Sequence, residues 1–583
     1  MNIELTPSPE PPVRRSSSKS GLSFCTWQSA GYALLICLVF ALFFTFSTDY
    51  FRENLQQAGD FLLSPHFIAL VLVGIIICWK GIPDSRYDLV VLTVAVAYVT
   101  LFYGKFLSLY TMSGDSTCQV AYWNVLWHPN LRGSIGVAAA KPGQVFALGI
   151  MYQLDSLLGV WANGTVFKAG LIAITTVCIW SLVRMAFDIG GRFAGFLAFL
   201  MTIWAFYYEF LVSESTVYFI AALFSGLRIY LYRPHQRTLG RLLLVSSILF
   251  RIDSIAILAV IWMWLAARKE WRELRLLTIF TLGSIAVFLL TNYLIQGSFA
   301  RLNSGAAAGY VNPFAFAGVP LTAMPALMFQ TLAAQFAVMP TVRFLTIMAI
   351  IGVAGTITFG GRSYLAIFAG PIIIFMNVLL LDGSLFLWRY FSYIYAFACA
   401  IGSASLVSFL RVIFQKRRPQ MLVIASAMAL LLLLTFTYGN LNSYKNYRTP
   451  DIERNFLIRA QALLEDNALP AKSGLLSEDD LLSYLVVMEP NRFRKINSMQ
   501  YFNVSSDEKR REILADTDYI WLELRGHDYF YLRYLDDYRW ESDSFRLLLK
   551  SIMGDGRERS MYGFRIIPVT ADENRMLLSV IKT

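Results

Sequence analysis

Residues able to handle a phosphate-linked substrate gather around one polar stretch of this chain, running from about Gly104 to Val145. Gly114-Asp115-Ser116 puts a single carboxylate near its start, and Lys141-Pro142-Gly143-Gln144 puts an amine near its end. Tyr122, Trp123 and Trp127 lie between them. A carboxylate can take the proton of an attacking hydroxyl, and a cation can neutralise charge gathering on a departing phosphate. A phosphate leaving group needs little protonation, so one base with well-placed cations suffices for such a transfer. Gly-Asp-Ser is equally ordinary turn chemistry, so its place in the molecule has to decide.

Further candidates follow. Glu209 and Glu214 flank a short turn between two apolar runs, as contacts for substrate hydroxyls or, with Asp115, for a divalent cation. The bland alternative is two solvated helix ends. Arg251 and Asp253 interrupt the apolar block Leu242–Ala267. An arginine there is costly and needs a partner, either a lipid phosphate or Asp253 itself. Arg389 sits between Trp388 and Tyr390, as a phosphate contact or an interfacial anchor. The three aromatics of the polar stretch are candidates to stack on a sugar face, or interfacial anchors. The four histidines, His66, His128, His235 and His527, are scattered, which speaks against a histidine metal site. The six cysteines show no CxxC and no disulfide framework.

The elements that must hold these residues are membrane helices. Of the 583 residues, 56% are hydrophobic and 15% charged, and the mean hydropathy is +0.53. Apolar runs of about 17–25 residues recur, the length that crosses a hydrocarbon core of roughly 30 Å. The formal charge of +11 comes largely from basic clusters in short loops between those runs, the mark of the cytoplasmic side rather than of nucleic-acid binding. Counting from Arg14, Arg15 and Lys19, spans at about Ala30–Ser47, His66–Trp79 and Leu89–Tyr103 leave the Asp115 stretch outside. Gln144–Leu158 reads as a helix lying at the interface or dipping into it. Basic clusters on both sides of Leu242–Ala267 predict a hairpin of two short helices tipped by Arg251 and Asp253, which keeps both clusters inside.

The fold class expected is mainly α: a polytopic helical membrane protein of about 11 full spans plus a two-helix short hairpin. After Tyr438 the long apolar runs stop. Tyr519–Leu524 and Tyr562–Val569 have strand length and composition, so residues 439–583 read as a small extracytoplasmic α/β domain. Residues 1–28 read as a disordered cytoplasmic tail, and 29–438 as the transmembrane module with its outer loop at 104–145.

In that order, the pieces resemble the GT-C superfamily of integral-membrane glycosyltransferases. The residues carrying the resemblance are the acidic outer loop at Gly114-Asp115-Ser116, Lys141-Pro142-Gly143, Ser213-Glu214-Ser215, Leu249-Phe250-Arg251-Ile252-Asp253, Trp388-Arg389-Tyr390 and the terminal outer domain. The resemblance implies a polyprenyl-phosphate-linked sugar donor and a glycan, lipid or protein acceptor. It implies Asp115 as base, Lys141 and Arg251 as phosphate contacts and Glu214 as a substrate contact. Many members have two adjacent acids in this loop. Here Ser116 follows Asp115, which favours a single-base, inverting transfer over one built on a divalent cation. The basic N-terminal tail and the compact terminal domain look bacterial, which places the protein in an inner membrane with its site facing the periplasm. A transporter or lipid flippase is the rival reading, and it would need charged, broken helices in paired halves. Only Arg251 and Asp253 fit that pattern.

Overall fold

The computed structural model describes residues 65–102, 114–128, 140–158, 165–206, 215–252, 254–297, 340–359 and 392–414, and, with short interruptions, 460–529 and 544–583. In chain order the helices are α1 (Pro65–Cys78), α2 (Asp84–Phe102), α3 (Gly114–Trp127), α4 (Pro142–Leu157), α5 (Thr165–Gly190) and α6 (Arg192–Ala205). There follow α7 (Ser215–Tyr232), α8 (Arg237–Phe250), α9 (Ser254–Ala267), α10 (Trp271–Gln296) and α11 (Pro340–Phe359). Next, α12 (Ser392–Phe397) and α13 (Ser403–Phe414) are joined by a π-helical turn at Ala398–Gly402. Five stretches among the described residues are long and apolar enough to cross a bilayer: Asp84–Phe102, Thr165–Gly190, Ser215–Tyr232, Trp271–Ile295 and Ser392–Arg411. The span expected at Ala30–Ser47 falls outside the described residues.

Helix α7 is the axis of the bundle: every residue from Ser215 to Tyr230 is buried. A helix apolar all round must be surrounded, and α5 and α8 do much of this. Close approach to α8 depends on two glycines. A Cβ on Gly226 would stand 2.6 Å from the Leu244 nitrogen, and one on Gly240 would stand 2.6 Å from the Tyr230 nitrogen. Helix α10 faces outward instead, exposing Ile279, Leu282, Leu290 and Leu294 as a lipid-facing helix should.

The chain breaks at Arg251, as its cost in an apolar run predicts. Arg237, at the start of α8, is 3.5 Å from Glu270, and Arg241 is 3.4 Å from Glu273 in α10. The beginning of α8 and the beginning of α10 therefore lie together. Helices α8 and α9 go up and come back, and the two basic clusters share one level. At the end of the bundle that the charge count assigns to the cytoplasm, α2, α5 and α7 are tied by ions. Arg184 lies 2.7 Å from Asp88 and 3.2 Å from Asp188, while Arg228 lies 2.8 Å from Asp188 and 3.3 Å from Asp88. Both arginines are only 3% exposed, so two buried cations are matched by two carboxylates.

The terminal domain has a mixed sheet in the order β2-β1-β3-β7-β6-β5. Its strands are β1 (Ser473–Ser477), β2 (Phe493–Ser498), β3 (Tyr519–Arg525), β4 (Asp528–Tyr529), β5 (Arg559–Met561), β6 (Phe564–Ala571) and β7 (Arg575–Lys582). Strand β1 pairs in parallel with β2 and β3; β7 pairs antiparallel with β3 and β6, and β4 pairs antiparallel with β3. Strict alternation assigns the two faces. Leu475, Trp521 and Leu577 join the core that runs on into the membrane helices. Leu476, Ile520, Leu522 and Leu578 close a separate core under α15 (Asp507–Ala515) and α16 (Ser544–Asp555). The short helix α14 (Leu485–Met488) rests on α3, and the Tyr152 hydroxyl of α4 donates to the Met488 carbonyl at 3.3 Å.

Candidate active site

Asp115 lies on a helix rather than a loop. Cys118, Ala121, Tyr122 and Val125 are buried at helical spacing, and that apolar stripe carries Gly114-Asp115-Ser116 into the first turn of α3. Gln119 lies four residues, about one turn, further along α3 than Asp115. Its side-chain carbonyl accepts the backbone N–H of Lys141 at 2.7 Å. The helix bearing Asp115 is thus fastened to Lys141 about 6 Å from Asp115 measured along the axis.

Lys141 is the residue before Pro142, and the fixed φ of proline suits the first turn of α4. The Lys141 side chain does not itself cap this helix start, and the positive end of the helix dipole lies next to the lysine. Two residues on, Gly143 meets the ring of Phe250 at the end of α8. A Cβ there would be 2.7 Å from that ring, so only glycine allows the contact. Phe250 also stacks on Tyr218 of α7, with ring centroids 5.5 Å apart. Arg251 follows directly, and its guanidinium carbon lies 5.7 Å from the centroid of Phe219. The first turn of α4, the end of α8 and the start of α7 therefore converge, which brings Lys141 and Arg251 to one region. Glu214 immediately precedes α7 in sequence. Glu209, Glu214, Asp253 and Arg389 lie outside the described residues. Among the described residues no three His, Cys, Asp or Glu side chains cluster as metal ligands.

The aromatic expectation needs correction. Tyr122 is 2% exposed and Trp123 is 9% exposed, and Trp123 faces α4, where Gly149 leaves room for its ring. Both rings are buried and offer no open sugar platform, and Trp123 packs α3 against α4. Trp127 is exposed and lies edge-on to Trp123 at 5.5 Å.

Sequence reasoning passed over three polar residues that hold this region. Asp155 is fully buried and accepts the N–H groups of Val166 (2.8 Å) and Phe167 (3.1 Å), capping α5 from the end of α4. Gln119 and Asn292 fix the entry into α4. Each has polar neighbours in sequence, Gln153 and Ser156 beside Asp155, Ser116 and Thr117 before Gln119, and Thr291 before Asn292, so nothing in the sequence set them apart. In the terminal domain, Glu489 follows Met488 at the junction with α4. Loss of water on burial pushes its carboxyl above the usual range.

No protein-family model and no curated protein matches the chain. Among solved structures, the oligosaccharyltransferase AglB of Archaeoglobus fulgidus, in complex with an inhibitory peptide and a dolichol-phosphate, aligns over 75% of this chain and 69% of its own. The TM-score is 0.43, at 13% identity. The chain is similar to an oligosaccharyltransferase. A second structure of the Archaeoglobus oligosaccharyltransferase, with zinc and sulfate, covers 74% of this chain and 67% of its own, with a TM-score of 0.42 and 12% identity. A likeness of this size carries no weight on its own. The reading that follows rests on the residues of this chain.

Proposed function

We propose that this protein is an integral-membrane glycosyltransferase that moves a sugar from a polyprenyl-phosphate carrier to an acceptor hydroxyl at the extracytoplasmic face. The observation that carries the proposal is the Gly143–Phe250 contact, which packs the helix start following Lys141 against the helix end preceding Arg251, with the Asp115 helix fastened to Lys141 through Gln119. Two cations beside the positive end of a helix make a setting for a lipid phosphate. One carboxylate on the adjoining helix supplies the base.

In this reading Asp115 takes the proton of the acceptor hydroxyl as its oxygen attacks C1 of the sugar. The bond from C1 to the phosphate oxygen breaks on the opposite side, and its electron pair leaves with the phosphate. Configuration at C1 inverts. Lys141 and Arg251 neutralise the phosphate as it departs, so it leaves without a proton. Glu214 and Glu209 contact substrate hydroxyls, and Asp253 and Arg389 complete the substrate-binding set. No step requires a metal ion. The acceptor is a glycan, a lipid or a protein.

The test is Asp115→Asn in native membranes, with protein level measured and transfer followed from radiolabelled polyprenyl-phosphate sugars. A loss of about 100- to 10,000-fold is expected for removal of a general base. Normal transfer at normal protein level overturns the assignment.

A further inference from the structure

The entry into α4 is held by side chains from two distant helices. Asn292 of α10 accepts the Ala140 N–H at 3.0 Å and donates to the Ala140 carbonyl at 2.9 Å. It also donates to the Phe288 carbonyl of its own helix at 3.0 Å. Asn292 and Ala140 are both fully buried. Gln119, 1% exposed, takes the next N–H along, that of Lys141. The N–H and carbonyl of Ala140 and the N–H of Lys141 are thus held by amides that span the sequence from 119 to 292, while the Lys141 carbonyl accepts the Val145 N–H as the first bond of α4.

These bonds do more than satisfy polar groups. The N–H groups at a helix start have no partner within the helix, and water would serve for them at an exposed position. Here a carboxamide from a candidate membrane span supplies a donor and an acceptor to the backbone of one residue, as a neighbouring strand would. Asn292 lies four residues before Gln296, the end of α10, or about 6 Å inside that end. The bond therefore sets the depth of Lys141 against a spanning helix, and Gln119 sets its register against the Asp115 helix.

We propose that Gln119 and Asn292 are positioning residues, which together clamp the Ala140–Lys141 backbone and hold the Lys141 amine at a fixed depth and a fixed distance from Asp115. Their effect on transfer rests on the function proposed above; the clamp itself does not. A base and a phosphate contact must stay in register through the reaction, and a displacement near 1 Å is enough to cost about 100-fold in rate.

The test uses the full-length protein in membranes or nanodiscs, with Asn292→Leu and Gln119→Met, two apolar replacements of similar size. Hydrogen exchange of the Ala140 and Lys141 amides reads the clamp directly. Exchange at Ala140 should speed up at least tenfold in Asn292→Leu, and exchange at Lys141 likewise in Gln119→Met, while the α5 core stays protected. Unchanged exchange in both variants overturns the clamp. Transfer kinetics read the positioning. Each variant should lose about 10- to 100-fold in kcat/KM for the lipid-linked donor. In a Lys141→Ala background the same substitutions should cost almost nothing more, since they act through Lys141. Full additivity overturns the positioning role and leaves a purely structural one. If Lys141→Ala alone transfers normally, the phosphate assignment falls, while the exchange result still decides the clamp. Should Asn292→Leu fail to accumulate, Gln119→Met carries both measurements.

Discussion

At the scale of single residues, the cations differ in what they require. Arg251 ends α8 with its guanidinium near the face of Phe219, where a planar cation stacks and a lysine amine does not match it. Arg251→Lys should therefore keep the charge and still lower kcat/KM by about tenfold, while Arg251→Met should lower it further. Equal activity in the lysine variant would mean that charge alone matters there. Glu489 gives a prediction about pH. Its folded carboxyl sits above the unfolded value because burial disfavours the charged form. The folded state therefore holds its proton longer, so stability is greatest below the unfolded carboxyl range and falls as pH rises through the folded value. Glu489→Gln should flatten that fall, seen as a smaller change in thermal midpoint between acidic and neutral pH. An unchanged slope would assign the pH effect to other groups.

At the scale of elements, much was legible in advance. The helix over Gln144–Leu158, the break at Arg251 and the strands near Tyr519 and Phe564 all followed from hydropathy and from the cost of a charge in an apolar run. The identity of Asp115 as a helical residue did not. Gly-Asp-Ser reads locally as a turn, and only packing of Cys118, Ala121, Tyr122 and Val125 against other elements converts it to a helix start. The same tertiary cause turned Tyr122 and Trp123 inward. Backbone proximity of α7 and α8 was equally hidden, because a glycine in a sequence does not say what it faces. Gly226→Ala and Gly240→Ala each place a methyl against backbone that cannot yield, so each should cost about 1–3 kcal/mol of stability. The check is a lowered thermal midpoint in detergent, with Gly283→Ala, whose surroundings are open, as the neutral control.

At the scale of the whole molecule, the helical module is fastened at two ends by opposite means. One end is ionic: Asp88 and Asp188 neutralise Arg184 and Arg228 where α2, α5 and α7 meet. Lysine and arginine counts predicted basic residues on that side, but not that two of them would be buried with carboxylates as partners. Removing one carboxylate strands a cation in the interior, and Asp188→Ala should cost about 3–5 kcal/mol and reduce the folded protein recovered from membranes. The other end is apolar. There Leu485, Val487 and Met488 of α14 continue the core of the module beneath one face of the terminal sheet, while the opposite face closes on its own helices. Among the described residues α14 lies between β2 and α3, and Tyr152 of α4 is bonded to its last residue, Met488. The terminal domain therefore bears on the very helices that carry Asp115 and Lys141. Val487→Asp, a charge placed at a residue 1% exposed, should loosen that junction while leaving the second core intact. Limited proteolysis should then cut more readily between the module and the terminal domain, and transfer should fall together with the protection of α3 amides. If transfer persists with the junction opened, the terminal sheet serves stability alone and the catalytic helices hold their places without it.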